Sequence, residues 1–409
     1  MATALPVNSR LVFKRQTAKG TMATAPSAQV LRRESATFAL KKEAYDTESE
    51  INAHQQLTSV RHGVRSVDGK VNDFFSPGTF SDMISAVVRR DFATVPAIAL
   101  GATTLAPGGT GPFTLTRSAG SWLTDGVKIG MVVRVTAGAL NAANLNKNLV
   151  VTGVTALVIT GSLPSGVAAM VAEAAVATCT VTMPGKVTHA PATGHTNVYY
   201  TVETWDPDVP SSERNLDVKI GQVGLSLPGS GNAKIDITAV GLDQTSSATA
   251  YFTSPTAETT TGVLVAASGL LLVGGVAVAT VTDLSITIDG KETLGEGVVG
   301  SNIRPDIFRG IVKVSGSFTA YFDSRTLADN FVNEVTQSLL GVFTSDSTAA
   351  ADFCSIYMPS LVTTSSDADD GIAKGKKRLY SFTAQYLASG GAALANQQTS
   401  IQIQDSAAP

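Results

Sequence analysis

Residue types that carry chemistry are present in this chain, but few stand at spacings that use them. Gly295-x-Gly297-x-x-Gly300 has the letters of the dinucleotide fingerprint and follows an alternating apolar run at Leu284–Ile288. That fingerprint works where a helix starts at the glycines and aims its free N–H groups at a pyrophosphate. Here Ser301–Pro305 follows, and Pro305 disfavours helix at Arg304, so the stretch is expected to be a loop. Asp367–Gly371, DADDG, has the look of a calcium loop, yet its glycine comes one place early and Arg378 stands where the closing glutamate belongs. An acidic β-turn is the expectation. Glu203, Asp206 and Asp208 could gather on a cation at a sheet edge, but the surrounding Trp205–Pro210, WDPDVP, reads more simply as a proline-stiffened, solvated turn.

The four histidines, His54, His62, His189 and His195, fall at no ligand or catalytic spacing. Cys179 and Cys354 are far apart, outside any CxxC, which argues against zinc. They are expected as buried free thiols of a protein assembled in a reducing compartment, with one long-range disulfide as the alternative. No HExxH, GxSxG or P-loop occurs. The sequence therefore assigns no catalytic, cofactor-binding or metal-binding residue and no cofactor, and points away from an enzyme.

Composition narrows the remaining classes. The chain has 409 residues, of which 15% are charged, with a formal net charge of −3. Tight binding to a phosphate backbone needs clustered Lys and Arg, so it is not expected. A neutral or acidic surface would instead let a polyanion slide past. Abundant Gly, Thr and Val favour strands and turns. So few charges suit a surface hidden in an assembly, although secreted β proteins share the trait.

The elements that would organise such a chain recur. In Gly310–Leu340, Val312, Val314, Gly316, Phe318 and Ala320 alternate with polar residues as in a half-buried strand. Asp323-Ser324-Arg325 breaks the run, Thr326-x-x-Asp329 supplies a helix N-cap, and Leu327, Phe331, Val335 and Leu339 follow at helical spacing. Gly63–Ile84 lies over Gly310–Phe331 without a gap. Six positions are identical: Gly63/Gly310, Val67/Val314, Gly69/Gly316, Phe75/Phe322, Thr79/Thr326 and Asp82/Asp329. The first copy too continues as a helix, through Phe80, Met83, Ile84, Val87 and Val88.

This unit resembles the major tail tube protein of long-tailed bacteriophages. The resembling residues are GSNIRPDIFRGIVKVSGSFTAYFDSRTLADNFVNE (Gly300–Glu334) and, more weakly, VDGKVNDFFSPGTFSDMISAVVRRDFA (Val67–Ala93). The resemblance implies a β-sandwich flanked by a helix, whose inner sheet joins those of neighbouring subunits in a ring. It implies stacked rings forming a channel for DNA delivery, and two copies per chain would make trimeric, pseudo-hexameric rings. Implied partners are further copies of the chain, tail terminator, tape measure and tail tip proteins, and phage DNA passing without specific binding. The implied location is the virion tail, assembled in the host cytoplasm, with no membrane partner. Two other classes are weighed: a multidomain β adhesin or carbohydrate-binding protein, which would share the Gly/Thr/Val composition, and a hydrolase on a β scaffold, which should show clustered acids or a nucleophile motif.

The expected fold is mainly β: two tandem tail-tube units, each with a flanking α-helix, plus an inserted small β domain. Residues 1–30 are expected as an arm that orders against a neighbour, so that deleting Ala2–Ser27 blocks polymerisation and leaves the monomer folded. The stretch lacks an apolar run long enough for a signal peptide. The first unit covers 31–93 and resumes over 187–245, around an inserted outer β domain at 94–186. In the insert, Phe113–Thr116, Met131–Thr136, Leu149–Thr152 and Ala156–Thr160 read as strands, and Trp122 with Gly126, Gly130 and Val132 as a core. Nothing comparable interrupts the second unit between Phe343 and Phe353. Lys41–Gln56 is expected as a solvated loop or short helix; by the resemblance it is a long loop reaching the adjacent ring, with Lys291–Arg304 as its counterpart. Val218–Leu227 and Lys234–Val240 form a hairpin, matched in the second unit by Phe353–Leu361, a loop at Thr363–Lys377, and Leu379–Leu387. The second unit runs over 246–390 and a tail over 391–409. Thr259–Thr282 lacks charge and is long enough to span a bilayer. Its Gly274-Gly275 pair, many Val and Thr residues and missing aromatic belt favour two buried strands joined by a turn.

Overall fold

The computed structural model describes residues 3–49, 51, 53–109, 111–278, 280–369 and 375–409. The first unit starts with β1 (Arg10–Arg15), β2 (Gln29–Val30), β3 (Ser35–Asp46), β4 (Val60–Phe74) and helix α1 (Ser81–Val88). The insert supplies β5 (Ile98–Ala99), β6 (Leu105–Gly108), β7 (Phe113–Arg117), β8 (Val132–Ala137), β9 (Leu149–Val154), β10 (Val158–Ser162) and β11 (Thr180–Thr182). The first unit resumes with β12 (Lys186–His189), β13 (Tyr200–Asp206), β14 (Ser211–Pro228), β15 (Lys234–Gly241) and β16 (Asp243–Ser247). The second unit comprises β17 (Val265–Val273), β18 (Val276–Ala277), β19 (Val281–Asp289), β20 (Glu292–Leu294), β21 (Ile307–Arg309), β22 (Lys313–Tyr321), helix α2 (Thr326–Val332), β23 (Gln337–Thr344), β24 (Phe353–Asp369), β25 (Lys377–Ala384) and β26 (Gln402–Asp405).

Each unit is a sandwich whose two sheets share one long strand. In the first, the outer sheet runs β1-β13-β14-β16 and the inner sheet β3-β4-β15-β14, with β14 serving the outer sheet through its first half and the inner one through its second. Leu11, Phe13, Tyr200 and Val202 of the outer sheet meet Val71, Val223, Leu225 and Ile237 of the inner one in a single core. The second unit repeats this plan with β17-β23-β24-β26 outside and β19-β22-β25-β24 inside.

Register repeats residue for residue. Phe74 faces Lys234 and Tyr321 faces Lys377, which is the equivalence expected from Gly63/Gly310. Tyr200 faces Val218 and Gln337 faces Leu361; one step on, both ladders slip by a residue, so that Val202 faces Asn215 and Leu339 faces Met358. A further bulge lies between Ile220 and Gln222 in β14 and between Thr363 and Ser365 in β24. A bulge adds an unpaired residue and bends its strand, so bulges kept at matching places bend both long strands from one sheet into the other alike.

Several expectations need correction. The stretch read as an arm contains β1, whose Leu11, Val12 and Phe13 are buried and which is the counterpart of β17: Phe13 faces Val202 as Val273 faces Leu339. Deleting it would strip the core. Lys41–Asp46 is strand, paired with Val60–Arg65 in a protruding hairpin. Thr363–Asp369 continues β24 rather than looping, and Leu361, not Phe353, is the partner of Val218 in the repeat. The site matching the insert is the direct step from Thr336 to Gln337. Neither helix uses its threonine cap: the N-cap residues are Phe80 and Arg325, and the Thr79 hydroxyl is taken by Ser76 (2.7 Å) and Thr259 (2.5 Å). Helix α1 buries Met83, Ile84, Val87 and Val88, whereas α2 buries none of its residues, Val335 lies beyond its end, and Leu339 belongs to β23. A cleft of about 860 Å³ separates α2 from β17 and the start of β23. Thr259–Thr282 contains β17, a turn at Gly274-Gly275 and β18, and no described helix is long and apolar enough to cross a membrane. The tail contributes β26, held between β12 and β24.

The insert is a seven-stranded sheet of order β5-β11-β8-β9-β10-β7-β6. Trp122 is fully buried in its core among Leu115, Val133, Val151 and Ile159, and its Nε1 donates to the Leu157 carbonyl at 3.1 Å. Val132, assigned from sequence to that core, points the other way: with Val150 it packs on Leu272, Leu340, Val342, Phe353 and Tyr357, the outer sheet of the second unit. The Gln404 side chain closes the contact by accepting from Val132 N (2.7 Å) and donating to its carbonyl (3.1 Å). An insertion in the first unit is thereby fastened to the second.

At the foot of the insert His189 Nε2 faces two donors, Arg90 Nη1 and Gln397 Nε2, both at 2.9 Å. Burial, followed by the positive charges of Arg90 and Lys128, pushes its pKa down to about 4. A group whose folded pKa lies below its unfolded value, here near 6.5, contributes its full stability above 6.5 and loses it as pH falls towards 4. Chemical denaturation at pH 7, 5.5 and 4.5 should show wild type losing stability faster than His189→Gln, and parallel curves would refute the assignment.

Candidate assembly surface

The two inner sheets are one wall. The second half of β14 pairs on its far side with β19, Gln222 facing Asp289 through to Pro228 facing Asp283. The strands therefore run β3-β4-β15-β14-β19-β22-β25-β24 without interruption. Alternation gives the wall one face in the core and one in solvent. The core face carries Val71, Ile237, Leu225, Ile286, Phe318 and Phe382, all buried. The solvent face carries Ser, Thr, Asn and Gln, with Lys41, Lys70, Lys234, Lys313 and Lys377 among Asp68, Asp236, Asp283, Asp289, Asp367 and Asp369. Opposite charges are interspersed, so the face is nearly neutral. Two lysines lie over aromatic rings at equivalent places: Lys234 on Phe74 at 5.2 Å and Lys377 on Tyr321 at 4.8 Å. A cation over a ring face is attracted by the ring quadrupole, which restrains the long side chain.

A buried charge cluster pins the junction between the units. Arg89 follows α1 with φ of 67° and reaches across to the second unit, donating to the carbonyls of Gly310 (2.8 Å) and Gly290 (2.5 Å). Its Nη2 also stands 3.5 Å from Glu292 Oε1, and Lys219 Nζ stands 3.9 Å from Oε2. Burial raises the pKa of Glu292 and lowers those of Lys219 and Arg89, so desolvation outweighs pairing at each.

The residues singled out for chemistry are not brought together. Glu203 is fully buried and accepts from Ser212 Oγ (2.5 Å), Tyr251 N (2.5 Å) and Phe252 N (2.9 Å), while Asp208 sits on the surface and accepts from Leu5 N and Asn8 Nδ2, both at 2.9 Å. Glu203 is thus an internal tie, not part of a solvated turn. No helix starts at Gly295–Gly300, and Arg304 Nη1 donates to the Gly295 carbonyl at 2.7 Å. Asp367–Asp369 ends β24, and Asp370 and Gly371 lie outside the described residues. Cys179 and Cys354 are buried free thiols. Among the described residues, no group of three or more His, Cys, Asp or Glu could hold a metal ion. Sequence reading missed the Arg89–Glu292–Lys219 cluster; its one local signal was a basic pair, Arg89-Arg90, straight after an apolar helix.

The fold is thus a tandem pair of β-sandwiches whose shared sheet forms a two-faced wall. The family model described as phage tail tube protein matches residues 6–386, and the chain belongs to that family. No curated protein matches the chain.

Glu292→Ala leaves Arg89 and Lys219 buried without a counter-charge and should cost about 3–5 kcal/mol in urea unfolding. A loss under 1 kcal/mol would show the cluster to be solvated.

Proposed function

We propose that this chain is the subunit of a phage tail tube in which copies close into rings, three chains to a ring, and the rings stack around a channel. The observation that carries this reading is the eight-stranded wall, with one polar face, two equivalent halves, and an unpaired edge at each end among the described residues. Unpaired strand edges invite further strands, and closure of a sheet into a barrel removes them. Two equivalent halves per chain give pseudo-sixfold symmetry from three chains. The polar face would line the channel. With Lys and Asp mixed on it and no arginine there among the described residues, it offers no continuous cationic track to phosphates, which suits passage of DNA without specific binding.

The insert would lie on the outside, because it packs on the outer sheet of the second unit, away from the polar face. Stacking would use the β3–β4 hairpin and its counterpart around Lys291–Arg309. Both leave large apolar side chains in solvent: Ile51, Leu57 and Val60 in one, Val299, Phe308 and Ile311 in the other. Assembly in the host cytoplasm and contacts with terminator, tape measure and tip proteins follow from the same reading.

Negative-stain electron microscopy of the concentrated protein should show hollow filaments; a population that stays monomeric would count against the tube. Replacing residues 47–58 by a two-residue turn should leave single rings while abolishing filaments, and unchanged filaments would move the stacking contact elsewhere.

A further inference from the structure

The chain carries its own template for the contact between subunits. Within the molecule, β14 of the first unit pairs with β19 of the second. Their counterparts by register are β24 and β3, which stand at opposite ends of the wall. Among the described residues, the edge of Ser365–Asp369 facing away from β25 and the edge of β3 facing away from β4 have no strand partner.

We propose that the joint between chains reproduces the joint within the chain: β24 of one copy pairs antiparallel with β3 of the next, Ser365 facing Lys41, Asp367 facing Ala39 and Asp369 facing Thr37. The proposal rests on the ring reading above and adds its register. That register follows from Gln222 facing Asp289 and Gly224 facing Thr287, because Ser365 and Asp367 hold the places of Gln222 and Gly224, and Lys41 and Ala39 those of Asp289 and Thr287.

Two independent features of the free chain support it. Leu284, Ile286 and Ile288 are buried at the internal joint, whereas Ala36, Phe38 and Leu40, which hold their places in β3, are only half-buried. The second feature is the difference between the helices. Helix α1 touches both β14 and β19, so it covers the internal joint, and Val88 at its end is completely buried. Helix α2 packs chiefly on β24, and Val335, which takes the place of Val88, is 41% exposed. A neighbouring β3 would complete the surface that α2 lacks. In the proposed register Lys41 of one chain also lies diagonal to Asp367 of the other on the polar face, a favourable cross-strand pair.

Cysteine pairs treated with a short bismaleimide test the register. The full-length double variant Asp367→Cys/Ala39→Cys should cross-link between chains in a ladder that ends at three. Its yield should lie within about twofold of the intrachain control Gly224→Cys/Thr287→Cys. The displaced pair Asp367→Cys/Arg65→Cys should react at least tenfold less. Rings visible by microscopy with no link at Asp367/Ala39 would overturn the register while leaving the ring reading standing; absence of rings would remove both. Val335→Asp should abolish cross-linking and leave the melting temperature within about two degrees of wild type, since that side chain is half in solvent in the free chain. Undiminished cross-linking in that variant would take α2 away from the joint.

Discussion

The hydrogen-bonded seam between β14 and β19 is the contact on which the molecule depends. Backbone N–H and C=O groups left unpaired in a buried sheet are costly, so once β14 bends from the outer into the inner sheet its far edge has to be satisfied. The second unit satisfies it. Two sandwiches that could each have carried separate inner sheets are fused into one wall, and the shared core runs across both: Val223 and Leu225 belong to the same apolar cluster as Ile286, Phe318 and Phe382. The seam is secured from the core side by α1 and by Arg89, whose guanidinium ties carbonyls of the second unit to the end of a helix in the first.

The two halves are alike in backbone and unlike in chemistry. Thr336 takes the place of Arg89, Glu334 that of Val87 and Ala368 that of Leu225. The first unit's internal seam is therefore deeply apolar and ionically pinned, while the free edges at the wall's ends are polar, Ser- and Asp-rich on β24 and half-exposed on β3. Such edges are the usual device by which a sheet protein avoids pairing at random, since charge and polarity on an edge weaken non-specific strand addition.

Much of the backbone plan could be read directly. The Gly63/Gly310 equivalence is the register of the structure because it rests on strand alternation, which the core enforces locally: a slip of one residue would turn Val71 or Phe318 to solvent. The kinship of β1 and β17 was invisible, because their only shared property is an apolar face; Phe13 and Val273 are equivalent in position alone. Thr363–Asp369 looked like a loop because a strand at an edge, with no apolar partner on one side, keeps a loop's composition. Thr79 does not cap α1 because its hydroxyl is recruited by Ser76 and Thr259, the second a contact between distant parts of the chain. The docking of the insert was equally hidden: Val132 and Val133 are indistinguishable by type, and folding alone sends one into the insert and the other against the second unit.

The path of the chain through the insert has a mechanical consequence. The insert is tethered by both its ends to the first unit, lies against Leu272 and Tyr357 of the second, and is stitched at its base by β26, which runs between β12 and β24. It braces the β14–β19 seam from outside. Opening the two sandwiches like a book would have to peel the β14–β19 ladder, break the Arg89 cluster, tear the Val132 contact and pull out the C-terminal strand together, so a bending load on the wall meets several linkages in parallel instead of one.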